Sequence, residues 1–368
     1  MQFYPISKPS ITKLEKSFMS DAIESEWISS LGKYIDLFED SFAEFSGVKY
    51  AVAVANGTCA IQLSLLAAGV GPGDDVLVPD FTFIATANAV KHVGANPIFV
   101  DIDPDNLCID CIDASKKITP HTKAMIPVHL YGHPANMDEI AAFAKQYNLA
   151  IIEDCAESHG ARFRGKTVGG IGDFGTFSFY GNKIFTTGEG GVVTTNSLSA
   201  RDHVRNLRDH AMSPTKRYWH TEVGFNFRMT NVQAALGCAQ LQRATEILEK
   251  RSIIREAYHR RLNTSICKTP QTADWASPTH WMTCVQIKGL KDDSRNKLMQ
   301  LLKSKNVDSR PYFYPISDMP PYKTDANTPV THEVYETGIN LPTYTDLEVG
   351  DVNVICDIFL STVEELNL

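Results

Sequence analysis

The sequence predicts an α/β protein: a large domain on a mostly parallel central sheet flanked by helices, then a smaller C-terminal α+β domain. Three observations carry that expectation. Seven short apolar runs, bounded by Gly, Pro, Asn or Asp, recur through the first two thirds of the chain. Longer helix-forming stretches separate them. After about residue 228 the texture changes to a long charged helix and shorter mixed elements. Runs that are apolar on both faces suit buried strands of a parallel sheet. Strands alternating with helices imply βαβ units.

In chain order, strands are expected at 50–55, 76–79, 97–101, 124–130, 150–154, 176–180 and 191–195. Helices are expected at 59–68, after an Asn-Gly-Thr start signal, and at 137–147. One long helix is expected over 230–262. A polar stretch with Pro270 and Pro278 leads to a strand at 281–287 and a helix at 293–305. The domain boundary is placed inside the long helix, giving domains 1–240 and 241–368.

Composition narrows the function. A chain of 368 residues with 43% hydrophobic and 21% charged residues can bury a large core, which excludes disordered and disulfide-stapled classes. The net charge of −8 lacks the basic footprint of a nucleic-acid binder. The eight cysteines are scattered, and the one C-x-x-C pair, Cys108 and Cys111, has no second pair at metal spacing. Reduced cytosolic thiols are expected. The N-terminal stretch has no apolar signal core, and no uncharged apolar run is long enough for a bilayer. The expectation is a cytoplasmic protein with no membrane partner.

Function in an open α/β sheet sits at the carboxyl ends of the strands. After the first strand comes Ala55-Asn56-Gly57-Thr58, opening a helix whose free N–H groups and dipole suit an anion. Taken alone, such a turn is more often a plain helix cap. After the fifth comes Glu153-Asp154-Cys155-Ala156-Glu157-Ser158-His159. Carboxylates there need a charge or a metal, though Glu157 and His159 do not fit a zinc spacing. After the sixth comes Ser178-Phe179-Tyr180-Gly181-Asn182-Lys183-Ile184-Phe185, then a glycine-rich turn. Burial among such residues lowers an ammonium's pKa, and a neutral lysine attacks carbonyls. It is not a Walker loop, because the upstream glycine is missing. Phosphate cradle, carboxylate and lysine together are what pyridoxal phosphate (PLP) needs for its phosphate, its ring nitrogen and its aldehyde.

These residues resemble the sugar aminotransferases of the DegT/DnrJ/StrS family, PLP enzymes of fold type I. The similarity runs from Trp27-Ile28-Ser29-Ser30-Leu31-Gly32-Lys33 to Gly338-Ile339-Asn340-Leu341-Pro342. Between them lie IIEDCAESHGA, FSFYGNKIFTTGEGG and NFRMTN. Within the family the chain is most similar to the perosamine synthases, which act on GDP-4-keto-6-deoxy-D-mannose for O-antigen-type polysaccharides. The segments 216–220 and 310–315 carry that finer likeness.

The resemblance implies roles position by position. Lys183 matches the Schiff-base lysine, and Asp154 the partner of the ring nitrogen. Glu157 sits where a side chain bonds the ring hydroxyl, and Phe83 matches the stacked aromatic. Gly57, Thr58 and Ser178 match phosphate contacts. Asn226 matches a phosphate contact from the neighbouring subunit, which implies a homodimer with shared sites. A dehydratase branch carries His at the lysine position; Lys183 favours transamination, with L-glutamate as donor and Lys183 moving the proton.

Lys33, Lys216 and Arg217 are candidates for the substrate diphosphate, since each lies in a loop with aromatic residues. Trp27, Tyr218, Trp219, Tyr312 and Tyr314 are candidates for sugar or base, or for core. A UDP- or dTDP-linked 3- or 4-keto sugar, and a PLP-binding regulatory role, remain open. A metal-dependent hydrolase on Asp154, His159 and His129 is the rival outside PLP chemistry.

Overall fold

Helices α1 (Lys13–Glu24) and α2 (Lys33–Ser46) precede the sheet in the computed structural model, which describes residues 2–367. A capping box starts α1: the Thr12 side chain accepts from Leu14 N–H, and the Glu15 carboxylate accepts from Thr12 N–H at 2.7 Å. The buried side of α2 presents Phe38 and Phe42, both 0% exposed, to the sheet.

The large sheet has seven strands: β1 (Tyr50–Val54), β2 (Asp75–Pro79), β3 (Asn96–Val100), β4 (Thr122–Met125), β5 (Ala150–Asp154), β8 (Phe174–Ser178) and β9 (Gly191–Thr195). The short strands β6 (Arg162–Phe163) and β7 (Lys166–Thr167) interrupt the series. The spatial order is β1-β9-β8-β5-β4-β2-β3. The pairs from β3 to β8 are parallel, whereas β9 runs antiparallel to both β8 and β1. Helices α3 (Gly57–Ala67), α4 (Ala85–His92), α5 (Cys111–Lys117), α6 (Met137–Tyr147) and α7 (Leu198–Arg208) make the crossovers and the flanks. The α/β architecture with a mostly parallel, helix-flanked sheet is as expected.

Three details differ from the sequence reading. The strand expected at 124–130 covers only Thr122–Met125, because Pro127 follows and the chain turns through Tyr131 at φ 51°. The strand expected at 176–180 begins and ends two residues earlier. The single helix expected over 230–262 is two helices, α8 (Asn231–Gln242) and α9 (Ala244–Leu262). The break is at Arg243 (φ −100°, ψ 9°), whose guanidinium turns inward to the Glu15 carboxylate (2.7 Å) and the Ser10 carbonyl (3.2 Å).

The rest of the chain supplies β10 (Cys267–Lys268), β11 (Ala276–Ser277), β12 (Thr283–Ile287), α10 (Asp292–Ser304), β13 (Arg310–Pro311), α11 (Pro329–Thr337), β14 (Gly338–Leu341) and α12 (Val349–Glu365). Strands β10-β12-β14-β13 form an antiparallel sheet. Its apolar cluster joins Tyr258, Val285, Leu298, Ile339 and Phe359. The N-terminal segment belongs to this cluster too, since Tyr4 is part of it and bridges to Val307. Strand β11 pairs instead with β6 of the first part of the chain. No helix among the described residues is long and apolar enough to cross a membrane.

Candidate active site

Strand pairing brings the chemistry-bearing turns to one edge. Gly191 opens β9 opposite Val54, the last residue of β1, and opposite Ser178, the last of β8. Asp154 ends β5 beside Thr176 of β8. The turn after β1, the turn after β8 and the carboxylate of β5 therefore share one rim of the sheet.

Asn56 caps α3 by accepting from Cys59 N–H at 2.9 Å. The N–H groups of Gly57 and Thr58 have no acceptor among the described residues. They point to an anion at the positive end of the helix. A Cβ on Gly57 would lie 2.8 Å from Ser178 Cβ, so this close approach requires glycine. Backbone donors and the Ser178 hydroxyl thus line one small cradle.

Lys183 sits in the turn after β8, its N–H donating to Tyr180 O at 2.9 Å. Its side chain is 11% exposed, and its Nζ lies 3.7 Å from Glu157 Oε1 and 4.0 Å from the centroid of the Trp281 ring. Burial pulls its ammonium below the usual lysine range, against the Glu157 and Asp154 carboxylates. Glu157 is buried, and Tyr131 N–H donates to its Oε2 at 2.7 Å. Burial pushes Glu157 up to about 7, with Lys183 opposing. Asp154 is buried and accepts from the Thr86 hydroxyl (2.8 Å) and Ala156 N–H (3.1 Å). Burial raises its pKa, and no cation lies within ion-pair reach of it among the described residues. A buried carboxylate so placed calls for a cationic partner.

The donor set fits PLP: an anion cradle, an unpaired buried carboxylate and an amine biased toward its neutral form. The profile of the DegT/DnrJ/EryC1/StrS aminotransferase family matches residues 9–360. The chain belongs to that family. It is accordingly a PLP-dependent aminotransferase. It is 41% identical over 358 residues to GDP-perosamine synthase of Escherichia coli O157:H7, covering 97% of this chain and 98% of the relative. It is 42% identical over 354 residues to GDP-perosamine synthase of Caulobacter vibrioides, covering 95% of each. Among solved structures it is similar to the PLP form of a sugar aminotransferase, Spr1654, from Streptococcus pneumoniae. That match has a TM-score of 0.94 and 27% identity, and it covers 99% of this chain and 100% of that one.

The other expected residues of this family member are placed as follows. Phe83 is 55% exposed, with its ring 6.1 Å from that of Phe313 on the open side. Trp27, Tyr314 and Asn226 are exposed. Lys216 and Arg217 lie in an exposed loop, Lys216 Nζ 3.8 Å over the Trp219 ring and the Arg217 guanidinium 5.0 Å over the Tyr218 ring. Two candidates are placed otherwise. Lys33 is paired with Asp21 at 2.7 Å, so its charge is already balanced within the chain. Tyr312 is 0% exposed and packs against Phe81 and Tyr131; it is a core residue, and substrate cannot touch it in this arrangement.

The rival metal set is not assembled. His129 Nδ1 accepts from Ala135 N–H, so its Nε2 donates to Glu153 at 3.0 Å. Glu153 also accepts from Gly169, Ile171 and Gly172 N–H. In the buried group His129, Glu153 and Cys155, the imidazole and the carboxylate are therefore a brace already engaged with donors, and the Cys155 thiol donates to Glu153 O. His159 is boxed by the rings of Phe42, Phe177, Phe179 and Phe185 instead. All eight cysteines are free, and seven of them are buried.

Thr86, Tyr131 and Trp281 escaped the sequence reading. Thr86 lies in the first turn of α4 without a distinctive motif, and the Tyr131 contribution is a backbone N–H. Trp281 reaches the lysine turn from 99 residues away.

Proposed function

We propose that this aminotransferase moves the amino group of L-glutamate to the 4-keto carbon of GDP-4-keto-6-deoxy-D-mannose, forming GDP-perosamine for polysaccharide assembly. The full-length likeness to proteins named GDP-perosamine synthase carries that reading, at 38–42% identity in three organisms. When bound, PLP supplies an aldehyde to carry the amino group and a ring to accept electrons.

The chain's residues would divide the remaining work. Lys183 anchors the cofactor aldehyde. When free of it, the Lys183 amine would hold and transfer a proton at Nζ, the general acid–base role. Asp154, oriented by Thr86, holds the ring nitrogen protonated. Glu157 partners the ring hydroxyl, Phe83 covers the ring face, and Gly57, Thr58 and Ser178 hold the phosphate. Lys216, Arg217, Trp27 and Tyr314 remain our candidates for the nucleotide sugar; Lys33 would serve only by giving up Asp21.

We infer a homodimer in which Asn226 completes the neighbour's phosphate site. The exposure of the large apolar side chains Trp27, Ile28, Leu31, Tyr180, Tyr218 and Val223 supports a covered surface. We propose domains 1–240 and 241–368, with the segment around Tyr4 packed on the second, and a cytoplasmic setting where nucleotide sugars are made.

The test is a panel of GDP-, UDP- and dTDP-linked keto sugars with glutamate, alongside Lys183→Ala. Amine product from the GDP sugar alone supports the substrate. Lys183→Ala is expected to abolish both turnover and the absorbance of lysine-bound cofactor; full activity in that variant would refute the role.

A further inference from the structure

Trp281 is held from three sides. Its N–H donates to Tyr131 O at 3.3 Å, its carbonyl accepts from Arg251 Nη1 at 3.1 Å, and its indole Nε1–H donates to Asn182 O at 2.8 Å. Its ring lies 6.2 Å from that of Tyr131, with 16° between planes. Arg251 is 1% exposed and has no carboxylate within ion-pair reach among the described residues, so its one recorded hydrogen bond goes to Trp281. A buried guanidinium is a costly group to commit to one carbonyl.

The result is a closed ring of contacts. Lys183 touches the Trp281 face, Trp281 bonds Tyr131, Tyr131 bonds Glu157, and Glu157 faces Lys183. We propose that Trp281 is a positioning residue for Lys183: its indole face receives the ammonium whenever the lysine is free, and its N–H fixes the turn that carries it. The inference rests on the reading of Lys183 given above.

The chemistry requires such a support. A lysine that alternates between binding an aldehyde and carrying a proton must exist in neutral and charged forms. Water would hold the charged form, but the site excludes most of it. A second carboxylate at contact would hold the ammonium and also take its proton. An aromatic face attracts the cation and offers no lone pair of comparable basicity. Lys183 is faced by Asp154 at the end of β5 and by Glu157 and His159 just after it, with Arg251 of α9 on the Trp281 carbonyl. Of these, only Glu157 and the indole are recorded in direct contact with Nζ.

The experiment follows the rate at which the full-length apo protein takes up PLP, read by absorbance across pH. Removing the ring favours the neutral amine, so Trp281→Leu should shift the midpoint down by about one unit. Trp281→Phe keeps a π face and should recover most of that shift. Replacing the tryptophans by fluorotryptophan keeps the packing and should give a partial shift in the same direction. The Leu shift should persist in a Glu157→Gln background, which assigns the midpoint to the lysine. An unchanged midpoint in the Leu and fluorotryptophan proteins overturns the proposal. Equal shifts in Leu and Phe overturn it as well, since the N–H and not the face would then act. Lys183→Ala separates the readings: normal PLP uptake there refutes the lysine role itself. Lost uptake there with a normal Trp281→Leu profile refutes only this inference.

Discussion

Tyr131 and Glu157 are joined by a 2.7 Å hydrogen bond from the tyrosine backbone N–H to the buried carboxylate beside Lys183. Tyr131 holds φ 51° to aim that N–H, a conformation that a bulky side chain rarely adopts. The turn after β4 therefore sets the environment of the acid next to the Lys183 amine.

The first prediction concerns this acid. Burial raises Glu157 from 4.5 to about 7, so the folded chain binds its proton more tightly than the unfolded chain does. Its contribution to stability is full below pH 4.5 and is lost as pH rises through about 7. Between pH 4.5 and 8 the apo protein should lose on the order of 3 kcal/mol through this group. Glu157→Gln should remove that component, leaving a flatter stability profile in urea unfolding. Parallel profiles for the two proteins would refute it.

The second concerns the phosphate cradle. Gly57→Ala brings a Cβ to 2.8 Å from Ser178 Cβ, where one of the two must move. Such overpacking costs about 1–3 kcal/mol, so PLP affinity should fall roughly tenfold to a hundredfold. Ser178→Gly in the same chain relieves the clash but removes a hydroxyl, so it should restore only part of the loss. Equilibrium dialysis of PLP measures both. Unchanged affinity in Gly57→Ala would place the phosphate elsewhere.

What the sequence disclosed follows from how local each signal is. Strands at 150–154 and 191–195 and the helix at 137–147 were readable to the residue, because apolar runs met turn residues at both ends. That Lys183, Asp154 and Glu157 lie at one rim was readable because Asp154 ends a strand of an α/β sheet and the other two follow one. The reversed direction of β9 was not, since a buried antiparallel strand has the composition of a parallel one. Nor was the break at Arg243, which has no Gly or Pro and depends on Glu15 and Ser10 far earlier in the chain. Tyr312 and Tyr314 are two residues apart, a spacing that would put both on one face of a regular strand, yet one is buried and one exposed, because β13 ends at Pro311 and the chain after it is irregular.

The Arg243 break yields the third prediction. Its guanidinium meets the Glu15 carboxylate, which is 0% exposed and is shared with Gln240 Nε2 at 2.7 Å. Arg243→Met keeps the apolar stem but leaves Glu15 with a buried charge and no cation. Breaking a buried pair costs about 3–5 kcal/mol. Replacing both, as Arg243→Met with Glu15→Gln, should recover much of it. A single-variant loss below about 1 kcal/mol by urea unfolding would show that the pair carries little.

The fourth sets catalysis against stability at Asp154. Its carboxylate is buried with only neutral donors, Thr86 and the Ala156 N–H, so ionisation costs free energy in the apo protein. Asp154→Asn keeps the shape and removes that cost, so the apo variant at pH 8 should be at least as stable as wild type. The same change removes the charge that we propose keeps the ring nitrogen protonated. Loss of one preorganised electrostatic partner costs roughly a hundredfold to a thousandfold in rate. The expected pair of results is therefore retained or raised stability with kcat down by at least about a hundredfold. Thr86→Val, which only loosens the carboxylate, should fall between wild type and Asp154→Asn in kcat. An Asp154→Asn protein with unchanged kcat would remove the ring-nitrogen role. One that is destabilised would instead make the carboxylate a structural group whose charge the fold needs.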